Sequence, residues 1–387
     1  MKAQNFHVKE FQGKEGLSKI REEWNAITNT LINKRFYHIY QWYESYIDTL
    51  ESNDADVYFF LLYKGDKPLA IFPLKKIRKK ILGIMFKALE IPNHPNIDLS
   101  DFIFGNTETK ARLLDSLITY LNKTSHTQWA FICMPHALEE STVFQFIKNF
   151  PYKSLSVHEI IGKCDYIASH SNKEIYGNLS ANFRASLRKA KNKLVKEVKV
   201  EFVLARQKKE LLTCFEEFLD VESSGWKGEQ GTKTAIKFYP ERKKFYQHLI
   251  DTFAEFNGCE INLLRINDRC IAGQFCLIVD NTIYILKIGY DEKYSKMAPG
   301  NMLLENLIQR VAIEGSIKYI NLTTGAKWHD NWTQLFYKVY KVIIFNKNLS
   351  GMAGLILIRG EQILRLLYHK YYGIRQRTKF IYNEKGE

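Results

Sequence analysis

TIYILKIGYDEKYSKMAPGNMLLENLIQRVAIEGSIKYINL, residues 282–322, contains a strand, a loop, a helix and a second strand in that order. Thr282 to Tyr290 is rich in β-branched and aromatic residues and reads as a strand. Asp291 to Pro299 is a short polar loop. From Gly300 to Ile313, Leu303, Leu304, Leu307, Ile308 and Val311 recur at helical spacing, and Lys318 to Leu322 is strand again. Upstream, EINLLRINDRCIAGQFCLI, from Glu260 to Ile278, is a pair of apolar runs around a turn that carries Asp268, which is a hairpin signal. Hairpin, strand, loop, helix and strand together predict a mixed α/β sheet, in the α/β (α+β) class.

The same hairpin occurs earlier, in VYFFLLYKGDKPLAIFPL from Val57 to Leu74. The turns align residue by residue, Asp66-Lys67-Pro68-Leu69-Ala70 against Asp268-Arg269-Cys270-Ile271-Ala272. A helical pattern precedes each, Trp42 to Leu50 and Lys243 to Phe256. Self-similarity at so long a period predicts duplicated domains, which a length of 387 residues allows. The expected organisation is an N-terminal domain over 1–165, a second over 166–345 and a tail over 346–387. With 45% hydrophobic and 14% aromatic residues, the chain can bury a large core, and a disordered class is excluded. The six cysteines form no CxxC pair and no zinc-spaced cluster, so they read as reduced thiols of a cytoplasmic protein. The first residues hold no apolar signal segment, and no apolar run is long enough to cross a bilayer.

A net charge of +14 favours anionic partners: phosphate-bearing cofactors, nucleic acid or a membrane face. Three segments concentrate it. Asn182 to Lys196, NFRASLRKAKNKLVK, is basic with no acid, and reads either as a solvated helix face or as an anion-facing one. Leu74 to Lys87, LKKIRKKILGIMFK, mixes cations with apolar residues. Gly351 to Gly373 can place Ile356, Ile363, Leu364, Leu367 and Tyr371 on one helical stripe, with Arg359, Arg365 and Lys370 nearby. Such a basic amphipathic helix suits an anionic membrane surface or docks on its own domain.

Chemistry-bearing residues gather at two loops. At Lys296-Met297-Ala298-Pro299-Gly300-Asn301-Met302 a helix begins, and its unpaired N–H groups and dipole favour phosphate. Gly300 allows close backbone approach, Pro299 stiffens the entry and Lys296 adds charge. VESSGWKGEQGTKT, residues 221–234, leaves a helix and carries Glu222, Trp226 and Lys227 among glycines. Lys287 stands in an apolar strand and needs a partner, of which Asp291 is the nearest in sequence.

The order of elements resembles the GNAT acyltransferase core, in which the loop after the fourth strand holds the pyrophosphate of an acyl-CoA. Asn182-Phe183-Arg184 with Arg188, Ser224-Gly225-Trp226-Lys227-Gly228, and Leu286-Lys287-Ile288-Gly289-Tyr290-Asp291 with Pro299-Gly300 resemble the Acetyltransferase_6 type. That group is also called the CelD/BcsL type of cellulose biosynthesis, and it is related to the FemAB-like peptidyltransferases with tandem GNAT-like domains. The chain departs from the group's Gly…Tyr-Lys…Trp pattern. After Gly325 it has Trp328 for Tyr and His329 for Lys, then Trp332.

The resemblance implies transfer of an acyl group from acyl-CoA to an amine, with no metal and no redox cofactor. The amine would belong to a lipid such as a sphingoid base or to an amino sugar of a surface polysaccharide. Amine acylation needs a base, a donor to the carbonyl oxygen and a proton for the thiolate. Glu222 is the base expected in the loop, and His329, which titrates near neutrality, is its alternative. Tyr290 would protonate the thiolate. Lys287 falls on the opposite strand face unless a bulge intervenes. Lys296, Pro299, Gly300, Asn301 and Met302 would hold the cofactor. Arg184, Arg188, Trp226, Lys227, Asp291, Trp328 and Trp332 would meet substrate. Two other readings stay open: an aminoacyl-tRNA donor tracked by the 182–196 helix, the one case involving nucleic acid, and a non-catalytic GNAT-fold partner in polysaccharide or lipid assembly.

Overall fold

A computed structural model describes residues 6–93, 97, 99–107, 110–124, 128–148, 152–168, 176–196 and 199–383, with side chains of the last helix described to residue 368. Lys370 and Tyr371 of the tail stripe therefore lie outside the described side chains. The first half runs β1 (Phe6–Gln12), α1 (Gly13–Lys19), α2 (Arg21–Thr28), α3 (Tyr40–Thr49), β2 (Val57–Lys64), β3 (Lys67–Ile81), β4 (Ile84–Glu90), β5 (Ile103–Phe104), α4 (Lys110–Lys123), β6 (Phe131–Leu138), α5 (Thr142–Ile147) and β7 (Ser156–Ala168). The second half runs α6 (Ala181–Leu194), β8 (Val200–Ala205), α7 (Lys208–Glu222), α8 (Pro240–Phe253), β9 (Cys259–Ile266), β10 (Arg269–Val279), β11 (Thr282–Tyr290), α9 (Pro299–Glu314), β12 (Tyr319–Asn321) and β13 (Phe336–Phe345). Helix α10 (Leu349–Asn383) closes the chain.

Both halves repeat one plan. An antiparallel meander (β1-β2-β3, then β8-β9-β10) leads to a fourth strand (β4, β11), a helix (α4, α9) and a strand parallel to the fourth (β6, β12). The hairpins read from sequence are β2–β3 and β9–β10. Asn267 and Asp268 turn the second at φ 49° and 64°, the left-handed geometry that two-residue hairpin loops require. The fold is thus a tandem of GNAT-like mixed sheets with a basic C-terminal helix.

The halves interlock. The sheet order is β1-β2-β3-β4-β6-β13-β7-β12-β11-β10-β9-β8, with β5 on β3. Strand β13, from the end of the chain, lies between β6 and β7, and β7 continues into the second half through β12. Residue 165 falls within β7. One aromatic core spans both halves on the face of α3, α7 and α8. Trp42 meets Phe245 edge-on at 5.2 Å and Phe36 meets Tyr284 at 5.1 Å. On the opposite face of the second half, Leu187 of α6 and Leu303 and Leu307 of α9 pack with Ile283 and Ile285 of β11. The basic helix α6 starts at Ser180, whose side chain accepts from Phe183 N, and buries only Leu187, Ala190 and Leu194. Among the described residues, no helix is long and apolar enough to cross a membrane.

Candidate active site

A fork between two parallel strands makes the site. β11 pairs with β12 only over Thr282–Tyr284, opposite Tyr319–Asn321. There β12 stops: the Asn321 side chain accepts from Thr323 N at 2.8 Å, and Thr323 takes a left-handed φ of 56°. Thr323 Oγ1 then donates to the Ile285 carbonyl at 2.8 Å and closes the crotch. Past it, β11 runs on to Tyr290 beside a loop instead of a strand. Asp291 N donates to the Ile271 carbonyl, so antiparallel alternation turns the backbone groups of Ile288 and Tyr290 away from β10 and toward the fork.

The fork opens on the start of α9. Ala298, the N-cap, sits at φ 46° and supplies no side-chain cap, and Pro299 follows at the first helical position. The N–H groups of Gly300 and Asn301 therefore find no acceptor within the helix. A cavity of about 290 Å³ lies here, lined by Ile288, Tyr290, Pro299, Gly300, Asn301 and Trp328, with Gln274 on its wall. A Cβ added at Gly300 would meet only Tyr290 Cδ1 at 3.9 Å, so any larger residue would grow into this space. Gln274 is 2% exposed, and its Oε1 has no hydrogen-bond partner among the described residues. An orphaned buried acceptor on a cavity wall suits a ligand N–H. Sequence reading missed Gln274; its signal was a lone amide inside the apolar run Cys270–Ile278.

Of the phosphate-loop residues, Pro299, Gly300 and Asn301 line the cavity. Lys296 is exposed beside it, and its carbonyl accepts from Lys193 of α6 at 3.3 Å. Met302 turns its side chain into the core, and its N–H donates to the Ala298 carbonyl. Asn301 Oδ1 accepts from Trp332 Nε1 at 3.0 Å, and the Trp332 ring meets Phe183 of α6 edge-on at 5.1 Å. That chain of contacts ties the loop before β13 to the helix start.

The 221–234 loop is a brace. Glu222 is 2% exposed; its carboxylate accepts from Lys227 Nζ at 3.1 Å and from Ile236 N at 2.8 Å. Lys227 also donates to the Ile288 carbonyl at 2.7 Å. A Cβ on Gly289 would stand 2.4 Å from Glu222 Cα, so α7 touches the β11 backbone directly. Gly228 and Gly231 are required for the same reason, since a Cβ on either would strike the carbonyl of Ser223 or Trp226. Trp226 is 56% exposed and does not line the cavity.

A bulge in β11 falls between Ile285 and Lys287, so Lys287 pairs with Phe275 and Tyr290 with Ala272. The bulge precedes Lys287 and leaves residues 287–290 in strict alternation. Lys287 shares the α7 face with Phe275, while Tyr290 faces α9. Asp291 is buried and accepts from Arg269 Nη2 at 2.8 Å and from Lys293 N, which makes it a cap of the following turn. Arg184 donates to the carbonyls of Tyr176, Gly177 and Leu179 and caps the turn before α6, whereas Arg188 is exposed. His329 is 3% exposed, with Nδ1 3.0 Å from Oδ2 of the buried Asp165, and Lys163 bridges Asp165 and Asp330. Burial pushes the imidazole below its ordinary value, against the opposing pull of Asp165 and the Thr324 carbonyl. Its neighbour Trp328, 4.3 Å away ring to ring, forms the cavity wall.

A tandem of GNAT-like modules with an uncapped helix start in a strand fork defines the fold class: a GNAT-type fold of FemAB-like build. Residues 181–339 match the acetyltransferase (GNAT) domain family model of the Acetyltransferase_6 type. The chain is similar in fold to FemX, at 10% identity and a TM-score of 0.55 over 84% of this chain and 96% of that one. It is also similar to L-PGS from Bacillus licheniformis (14%, TM-score 0.51, 87% and 95%) and to a Bacteroides thetaiotaomicron protein of unknown function (15%, TM-score 0.51, 85% and 97%). No curated protein matches the sequence significantly.

Proposed function

We propose that the protein moves an acyl group from acyl-CoA to an amine, with a lipid amine or an amino sugar as acceptor. The observation that carries this is the fork: unpaired N–H groups at the start of α9, with the edge of β11, where Lys227 holds the Ile288 carbonyl, leading away from it. A phosphate-bearing ligand suits the helix start. An extended arm that carries amides suits the β11 edge, and Gln274 Oε1 would accept one of its N–H groups. The amine attacks the thioester carbonyl, the C–S bond breaks, and the thiolate takes a proton, for which Tyr290 is placed on the cavity. Gln274→Leu in a CoA titration should weaken binding about tenfold, as loss of one buried hydrogen bond implies; unchanged affinity would remove Gln274 from the site.

Glu222 serves the fold, and His329 is the better base. Both Glu222 oxygens are engaged on the face away from the cavity. His329 is oriented by a carboxylate, also meets the Thr324 carbonyl, and directly follows Trp328 of the cavity wall; burial favours its neutral, base-competent form. Glu222→Gln should destabilise the fold by about 3 kcal/mol, because the 14%-exposed Lys227 loses its partner, yet leave kcat near wild type. His329→Gln breaks the buried contact with Asp165 and should lower the melting temperature, but the folded variant should lose turnover by about a hundredfold or more. Since burial lowers the His329 pKa, the acid limb of kcat/KM should lie below pH 6.5, with the rate falling as the ring protonates, and should vanish in the variant. The reverse pattern would restore Glu222 as base.

An aminoacyl-tRNA donor is the second reading. It is favoured by the exposed cations of α6, of which Lys193 reaches the phosphate loop. Ribonuclease sensitivity of the activity separates the two donors.

A further inference from the structure

We propose that the tip of the β3–β4 hairpin and the outer length of α10 form one docking surface for a bilayer rich in anionic phospholipid. The segments are nearly three hundred residues apart in the chain, and the fold lays them side by side. Leu355 and Ile358 of α10 pack with Ile81 and Phe86 of the hairpin. Gly354 makes the approach possible, because a Cβ there would already be 3.3 Å from the Phe345 ring. A groove of about 290 Å³ separates the two, with Lys80 and Leu82 on one bank and Gln362 and Arg365 on the other.

Beyond this contact both segments present apolar side chains to solvent. At the hairpin tip Leu82, Ile84 and Met85 are each more than half exposed. On α10, Ile363, Leu364, Leu366, Leu367 and Tyr368 are likewise exposed. These near-consecutive positions spread over an arc of about 200° around the helix, so no single sheet face can cover them. A contiguous exposed apolar patch of this kind marks an interaction surface.

The charge around the patch selects the partner. Lys79 pairs with Glu90, and Arg365 with Glu159 and Glu361. Lys80, Lys87, Lys341 and Arg359 border the same region and have no carboxylate partner among the described residues. Apolar residues that insert at the headgroup level, ringed by unneutralised cations, match an anionic leaflet, and none of the described helices can span it. The surface shares no residue with the cavity at α9, so vesicle binding can be measured without acyl transfer.

The test is co-sedimentation of the full chain with vesicles of phosphatidylglycerol in phosphatidylcholine, against phosphatidylcholine alone. The chain should pellet with the anionic vesicles, far less with neutral ones, and less as salt rises. Leu82→Ser/Met85→Ser, which leaves α10 intact and touches only exposed positions, should weaken partitioning at least tenfold with an unchanged melting temperature. Lys80→Glu/Lys341→Glu should abolish the preference for anionic lipid. Failure of the full chain to bind anionic vesicles overturns the proposal, as does a tip variant that binds like wild type. It is equally overturned if the chain self-associates in sedimentation equilibrium, the tip variant becomes monomeric and vesicles recruit neither.

Discussion

Gly300→Trp should abolish the stabilisation that CoA and acetyl-CoA give the wild-type protein. Ligand that binds only the native state adds about 2.7 kcal/mol at a hundred times its Kd, which moves the melting temperature by a few degrees. The indole would fill the space between Tyr290 and the first turn of α9 and cover the N–H groups of Gly300 and Asn301. Without ligand the variant should melt within a degree or two of wild type, because the first atom of the new side chain meets nothing closer than 3.9 Å. Long-chain acyl-CoAs, tested beside acetyl-CoA, show whether the site prefers a lipid chain. A wild-type protein that no CoA species stabilises would sink the acyl-CoA reading and favour a tRNA donor or a non-catalytic role. A variant that still responds would move the donor site away from α9.

Val342→Asp should unfold both halves together. Val342 is fully buried at the centre of β13, between β6 and β7. An unpaired carboxylate there faces a desolvation penalty of several kcal/mol, on top of the lost apolar burial. With a typical total stability of about 5–15 kcal/mol, that is enough to leave no folded chain at 37 °C. Residues 1–165 made alone should fail for the same reason, since β13 supplies six apolar side chains, Val339, Tyr340 and Val342 to Phe345, that are buried in the seam. At roughly 1.5–2 kcal/mol each these are worth about 10 kcal/mol. A fragment 1–165 that melts cooperatively would show that the halves are separable after all.

Much of the second half was legible because its signals are local. The leucine spacing of α9, the β-branched run of β11 and the Asn267-Asp268 turn each report the element they belong to. The Pro299-Gly300 start announces a helix with open N–H groups, whatever packs around it. The 221–234 loop carries two readings in one stretch of sequence. Acid, lysine, tryptophan and glycine in one loop suit catalysis, but Gly228 and Gly231 are explained by carbonyls within 2.1 Å of the missing Cβ atoms, and Glu222 by a lysine five residues away. Gln274 shows the converse, since a single amide in a strand carries no sign of being unpaired until its neighbours are in place.

The order of elements, the duplicated hairpins, the helix start that favours anions and the basic character of the tail are properties of the sequence itself. Each depends on backbone preference or side-chain periodicity over a few residues, which neighbours in the chain are enough to define. The insertion of β13 between β6 and β7, the His329–Asp165 pair across 164 positions, and the meeting of the β3–β4 tip with α10 belong to the tertiary structure. Strand order and buried pairing are set by which apolar faces must cover one another. That choice is made between distant segments, where no local pattern reaches.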